Sequence, residues 1–169
     1  KELKGKLDKF KDKILEKFDK YIMGVVLLPP EQPRPSQPGQ ASPPGQVLPA
    51  GQASAPEQPK GEKIDVLVLV DDSDVKKMTK WELRDKLIAI FDQQAKEIDE
   101  RFRPDPLLLS ELWQSCYDGK YELLKLIAMG APVYDTGMVG AIKLAEIHKS
   151  MVLKKFEKYI VAYVLAGSL

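Results

Sequence analysis

One passage of this chain occurs twice. The stretch Lys17–Leu28 returns as Lys155–Ala166, and each copy opens Lys-Phe-acid-Lys-Tyr-Ile before running into apolar residues. Each copy reads as the end of a charged helix that passes straight into a strand. A repeat of this kind sets the organisation before local propensities are weighed. After the first copy come Pro29 and Pro30; after the second come Gly167 and Ser168.

The helix ahead of the first copy is legible from Leu3, Leu7, Phe10, Ile14 and Phe18, which recur every three or four residues among lysines and acids. That spacing puts one apolar stripe on a helix and solvates the rest. Tyr21 to Leu28 then reads as a buried strand closed by the two prolines. Residues 29–62 hold ten of the thirteen prolines, with Gln, Gly, Ser and Ala and no aromatic. Such a composition buries too little apolar surface to offset its ordering entropy, so it predicts a disordered or polyproline-like insertion. Pro33 and Pro35 also have the spacing that an aromatic groove could accept.

Beyond the insertion, Ile64–Val70 is the clearest strand, and Asp71-Asp72-Ser73-Asp74 forces a turn. Thr79 followed by Glu82 predicts a capping box. The helix it opens has an apolar face of Trp81, Leu87, Ile88, Phe91, Ala95 and Ile98. An extended piece at 101–109 carries Pro104 and Pro106, which confine it to a sheet edge. Ser110 is expected to cap a short helix. Tyr121–Met129 forms another, closed by Gly130 and Pro132, and a last helix over 138–158 leads into a strand over 159–165. The sum is an α/β domain, a small mixed sheet flanked by helices with a long Pro-rich loop insertion. Its expected division is 1–28 with 63–137, the insertion 29–62, and 138–169 as the helix and first strand of a second repeat.

Composition excludes some classes of function. Lysine plus arginine (26) nearly cancels aspartate plus glutamate (25), so no global field points to nucleic acid or an anionic membrane. The longest apolar run falls far short of the ~20 residues of a membrane helix. Cys116 stands alone, which rules out an internal disulfide and suits a reducing cytoplasm. Asparagine is absent while lysine and glutamate abound, which fits a heat-adapted source.

A strand, a Gly-Ser turn, a short loop and a strand opening Asp-x-Asp form the signature that this chain resembles. It is that of the nucleotidyltransferase superfamily, in its polymerase-beta-like minimal branch. The stretch from Trp113 through Gly119, Gly130 and Tyr134-Asp135-Thr136-Gly137 is similar to the region after the catalytic strands in archaeal members. The resemblance implies a nucleotidyltransferase-like fold, an NTP bound at Gly167 and Ser168, and Mg²⁺ held by paired carboxylates. Backbone amides at such a turn approach a triphosphate, and the metal clamps it. In the first copy, however, Pro29-Pro30 stand in place of Gly-Ser, and proline has no amide hydrogen to offer. Lys63-Ile64-Asp65 stands in place of Asp-x-Asp, leaving Asp65 as the one remnant catalytic and metal-binding carboxylate. Lys63 itself could hold a phosphate as a point charge. The second copy keeps Gly167-Ser168, and its carboxylates are expected past Leu169.

Two functions stay open on this reading. One is a degenerate nucleotidyltransferase-like module that catalyses nothing and binds a protein, a nucleotide or an RNP, without a membrane. The other is a fragment of an active Mg²⁺-dependent enzyme that transfers a nucleotidyl group from NTP. The apolar strand 159–165, if unpaired, invites a homodimer. Other candidates are Asp71, Asp72 and Asp74 for a metal or a turn, and Asp99, Glu100 and Asp105 for a third carboxylate. Arg101, Phe102 and Arg103 make a small basic-aromatic spot. His148 lacks a second histidine or a cysteine close by, so neither zinc nor a hydrolase triad is expected.

Overall fold

The computed structural model describes residues 2–30, 63–75 and 78–164. The insertion, except Pro29 and Pro30, and the Gly167-Ser168 turn lie outside the described residues. In chain order the elements are α1 (Glu2–Phe18), β1 (Ile22–Leu27), β2 (Ile64–Val70), α2 (Lys80–Lys96) and β3 (Phe102–Leu108). They continue with α3 (Leu109–Tyr117), α4 (Glu122–Met129), β4 (Ala131–Asp135) and α5 (Met138–Phe156), and a 3₁₀ turn closes them at Glu157–Tyr159.

The four strands form one mixed sheet in the order β3-β2-β1-β4. β1 is antiparallel to both β2 and β4, and β2 is parallel to β3. Alternation along β2 builds two cores at once, because successive side chains leave opposite faces of a strand. Val66, Val68 and Val70 join Leu7, Phe10 and Ile14 of α1 and Leu87, Phe91 and Ala95 of α2 on one face. Leu67 and Leu69 join Leu112 of α3, Ile127 of α4 and Val139 and Ile142 of α5 on the other. Helices cover both faces, which is why Val66–Val70 of β2 read as an unbroken apolar run.

Pro104 and Pro106 sit in β3 at the sheet edge, as their chemistry requires. Being two residues apart, they turn their missing amides the same way, to the side without a partner strand. β1 carries a register shift between Ile22 and Gly24 against β2. There α5 comes so close that a β-carbon on Gly24 would lie 2.5 Å from Val139 Cγ2.

Four expectations are corrected. Pro132 does not simply end a helix: Ala131–Asp135 forms β4, a strand short enough and mixed enough in polarity to lack a period-2 signal. Trp81 is 76 % exposed, because it lies in the first turn of α2, ahead of the sheet. Ser110 is not a self-sufficient cap; it is the second residue of α3, and its amide and hydroxyl both bond Asp72. The strand expected at 159–165 is not formed over 159–164, where the 3₁₀ turn gives way to irregular chain. A strand needs a ladder, and among the described residues no strand pairs with this segment.

Candidate functional site

The end of β1, the start of β2 and the start of β3 meet at one end of the sheet. Leu28 N donates to Asp65 O at 2.9 Å, and Ile64 N donates to Arg101 O at 2.9 Å. These bonds place Pro30, Lys63, Asp65 and Arg101 around one open cleft of about 260 Å³, floored by Leu3, Leu27 and Leu28. This is the end of the sheet where Pro29-Pro30 and Lys63-Ile64-Asp65 of the first copy stand.

Asp65 is half-buried on β2 and faces Arg103, its register partner on β3, with Nε 3.8 Å from Oδ1. Lys63 stands exposed two residues before it. One carboxylate between two cations is a setting for an anion or a neutral polar group. Magnesium needs several hard oxygen ligands with little competing positive charge. The residues present therefore do not fit that ion, and among the described residues no three His, Cys, Asp or Glu side chains converge on a point.

The third-carboxylate candidates are committed elsewhere. Asp99 takes Arg101 in a fork, Nε at 3.0 Å and Nη2 at 2.8 Å, together with the Arg101 amide at 3.0 Å and Lys6 Nζ at 3.2 Å. The guanidinium first, then the Arg101 backbone amide and Lys6, hold its carboxyl well below the usual carboxylate range. Asp105 binds Arg84 at 3.1 Å, and the same Arg84 lies 3.6 Å from Glu111. Glu100 is exposed in the turn before β3.

The aspartate cluster lies at the far end of β2, about 20 Å from Asp65 at the rise of an extended strand. Asp71 Oδ1 accepts from Ser73 N at 2.9 Å and closes the turn. Asp72 accepts from Ser110 N at 3.0 Å and from Ser110 Oγ at 2.5 Å, anchoring the start of α3. Asp135 does comparable work at α5. Its Oδ1 accepts from Gly137 N and Val139 N at 2.8 and 2.9 Å, and its Oδ2 from Gly140 N at 2.8 Å. Thr136 Oγ1 donates to Met23 O at 2.9 Å. The Tyr134–Gly137 stretch, singled out by resemblance, thus splices β4 to α5 and to β1. Its signal in sequence is an Asp ahead of an apolar helix, which marks a cap.

His148 is exposed, with Nδ1 2.9 Å from Tyr163 Oη. Cys116 is half-buried, and burial pushes its thiol up from the ordinary range. Among the described residues no helix is long and apolar enough to cross a membrane. No family model matches the chain, and neither does a curated protein or a solved structure.

Proposed function

We propose that this chain is a nucleotidyltransferase-like module that has lost nucleotidyl transfer and works by binding a protein or RNP partner. The observation that carries the loss is the pairing of Asp65 with Arg103 beside Lys63, which turns a metal site into a cationic one. The α/β sheet with helices on both faces and a cleft at the β1–β2 end is compatible with that descent. Titration calorimetry of the whole chain with ATP and GTP, with and without Mg²⁺, tests the reading. The expected result is no Mg²⁺-dependent binding. A magnesium-dependent affinity tighter than about 1 mM, some 4 kcal/mol of binding, that D65N abolishes would overturn it.

A second reading rests on Gly167-Ser168 at the end of the repeat. In it the chain is part of an active enzyme that uses Mg²⁺ to transfer a nucleotidyl group from NTP. The intact mass of the protein from its native source tests it, since that reading requires a mass well above 19.0 kDa.

A further inference from the structure

Exposed apolar side chains are concentrated in one stretch of the chain. Of thirteen large hydrophobic residues exposed among the described residues, ten fall between Tyr117 and Val164, on or beside α3, α4, α5 and the tail. At the centre is α5, whose two sides are both apolar. Met138, Val139 and Ile142 bury one side in the core beneath the sheet. Leu144, Ile147 and Met151, exposed by 68, 56 and 67 %, follow the i, i+3, i+7 spacing that gathers them on the opposite side.

This second stripe is not inherited from the repeat. Leu144, Ile147 and Met151 answer in α1 to Lys6, Lys9 and Lys13. A solvent-facing helix side is ordinarily polar, so the exposed apolar stripe on α5 calls for a covering partner. The stripe also continues into its surroundings. His148 meets Tyr163, which ties the tail to α5 while Val161 and Val164 stay open to solvent. Lys143 Nζ reaches Gly130 O at 2.5 Å and draws the end of α4, with exposed Met129, alongside.

We propose that this face is a homodimer interface, in which the α5 stripe and the tail of one molecule pack on those of a second copy across a two-fold axis. The six exposed side chains of the stripe and tail, Leu144, Ile147, Met151, Tyr159, Val161 and Val164, at on the order of 100 Å² apiece offer on the order of 600 Å² per partner, at the low end of the roughly 1,200–2,000 Å² in total of a stable complex. The stripe has the spacing of a helix–helix seam and is self-complementary about Ile147, as a two-fold contact requires. The proposal stands apart from the nucleotide reading, since the calorimetry does not depend on oligomeric state.

Light scattering on the eluting peak of the whole chain tests it, at micromolar concentration. The wild type should run at twice 19.0 kDa. I147E should return the mass to the monomer without altering the circular dichroism, because Ile147 is more than half exposed. W81E, at a still more exposed apolar site outside the patch, should remain dimeric. Amide exchange over 161–164 should be slower in wild type than in I147E. A monomeric wild type, or a dimer that survives I147E, overturns the proposal. So does a longer native polypeptide that is monomeric because its own downstream residues cover the stripe.

Discussion

Asp135→Ala is the perturbation whose cost can be worked most directly. The amide of Gly137, the residue that caps α5, and those of Val139 and Gly140 in its first turn end on two oxygens of one carboxylate, at 2.8, 2.9 and 2.8 Å. The bonds to Gly137 and Gly140 are exposed, so water replaces much of what alanine removes. The bond to Val139 is partly buried, and its amide would be left poorly satisfied. Asp135 lies two residues ahead of the Gly137 cap but satisfies the same helix-start amides, so losing it costs about as much as losing a capping acid, about 0.5–2 kcal/mol, and a partly buried orphan amide adds about 1 kcal/mol. D135A should therefore lose about 2 kcal/mol. D135N should lose about half, since one amide oxygen remains to accept at such a cap. With a urea slope of about 1–2 kcal/mol/M, D135A lowers the midpoint by about 1–2 M. T136A, which removes one exposed hydroxyl bond to Met23 O, should cost about 0.5 kcal/mol and serves as the control. If D135A moved the midpoint no more than T136A, the capping role would be wrong.

The remaining predictions concern pH, packing and the anchor of α3. Asp99 is held below the usual carboxylate range by Arg101, so the folded state releases its proton more readily than the unfolded chain. That stability is complete above about pH 5 and is lost as pH falls through the ordinary carboxylate range toward the folded value; a urea series from neutral to acid should show a shallower acid limb for D99N than for wild type. A β-carbon on Gly130 would meet Val26 Cγ1 at 2.2 Å and Leu27 O at 3.0 Å. G130A should therefore cost about 1–3 kcal/mol by overpacking, and an unchanged melting temperature would refute this. D72A, which strips α3 of its remote anchor, should cost about 2 kcal/mol; in a double-mutant cycle with S110A, additive losses would deny that the two act as a pair.

The parts of the fold legible in the sequence are those with a strong period or a fixed chemical requirement. β2 announces itself by five buried residues in a row, and α1 by Leu7, Phe10 and Ile14. Pro104 and Pro106 place β3 at an edge because proline cannot donate to a ladder. β4 escapes such a reading because five residues with a proline and two half-buried side chains carry no alternation; its place is set by β1, more than a hundred residues earlier in the chain. The long-range partners are equally invisible. Asp72 looks like turn chemistry and is also the anchor of α3, thirty-eight residues on. Asp65 is picked out by resemblance, but only the parallel pairing of β2 with β3 shows that Arg103 is its neighbour.

The repeat itself separates propensity from context. Ile22–Leu27 and the matching residues from Ile160 onward are almost equally apolar and share the same Lys-Phe-acid-Lys-Tyr lead. The first copy is a central strand with ladders on both sides. The second is irregular over 160–164, with Val161 and Val164 open to solvent. Intrinsic preference is the same in both, so the difference is the neighbours: β1 meets β2 and β4, both of which come later in the chain than β1. Strand preference is mostly fit to a half-buried pleated surface, and without that surface the same residues do not hold the conformation. The copy at 160–164 is therefore an apolar segment waiting on a partner. Tyr163 ties it, through His148, to α5, a helix whose Leu144, Ile147 and Met151 are exposed as well; if the proposed dimer forms, covering that stripe should also order this segment.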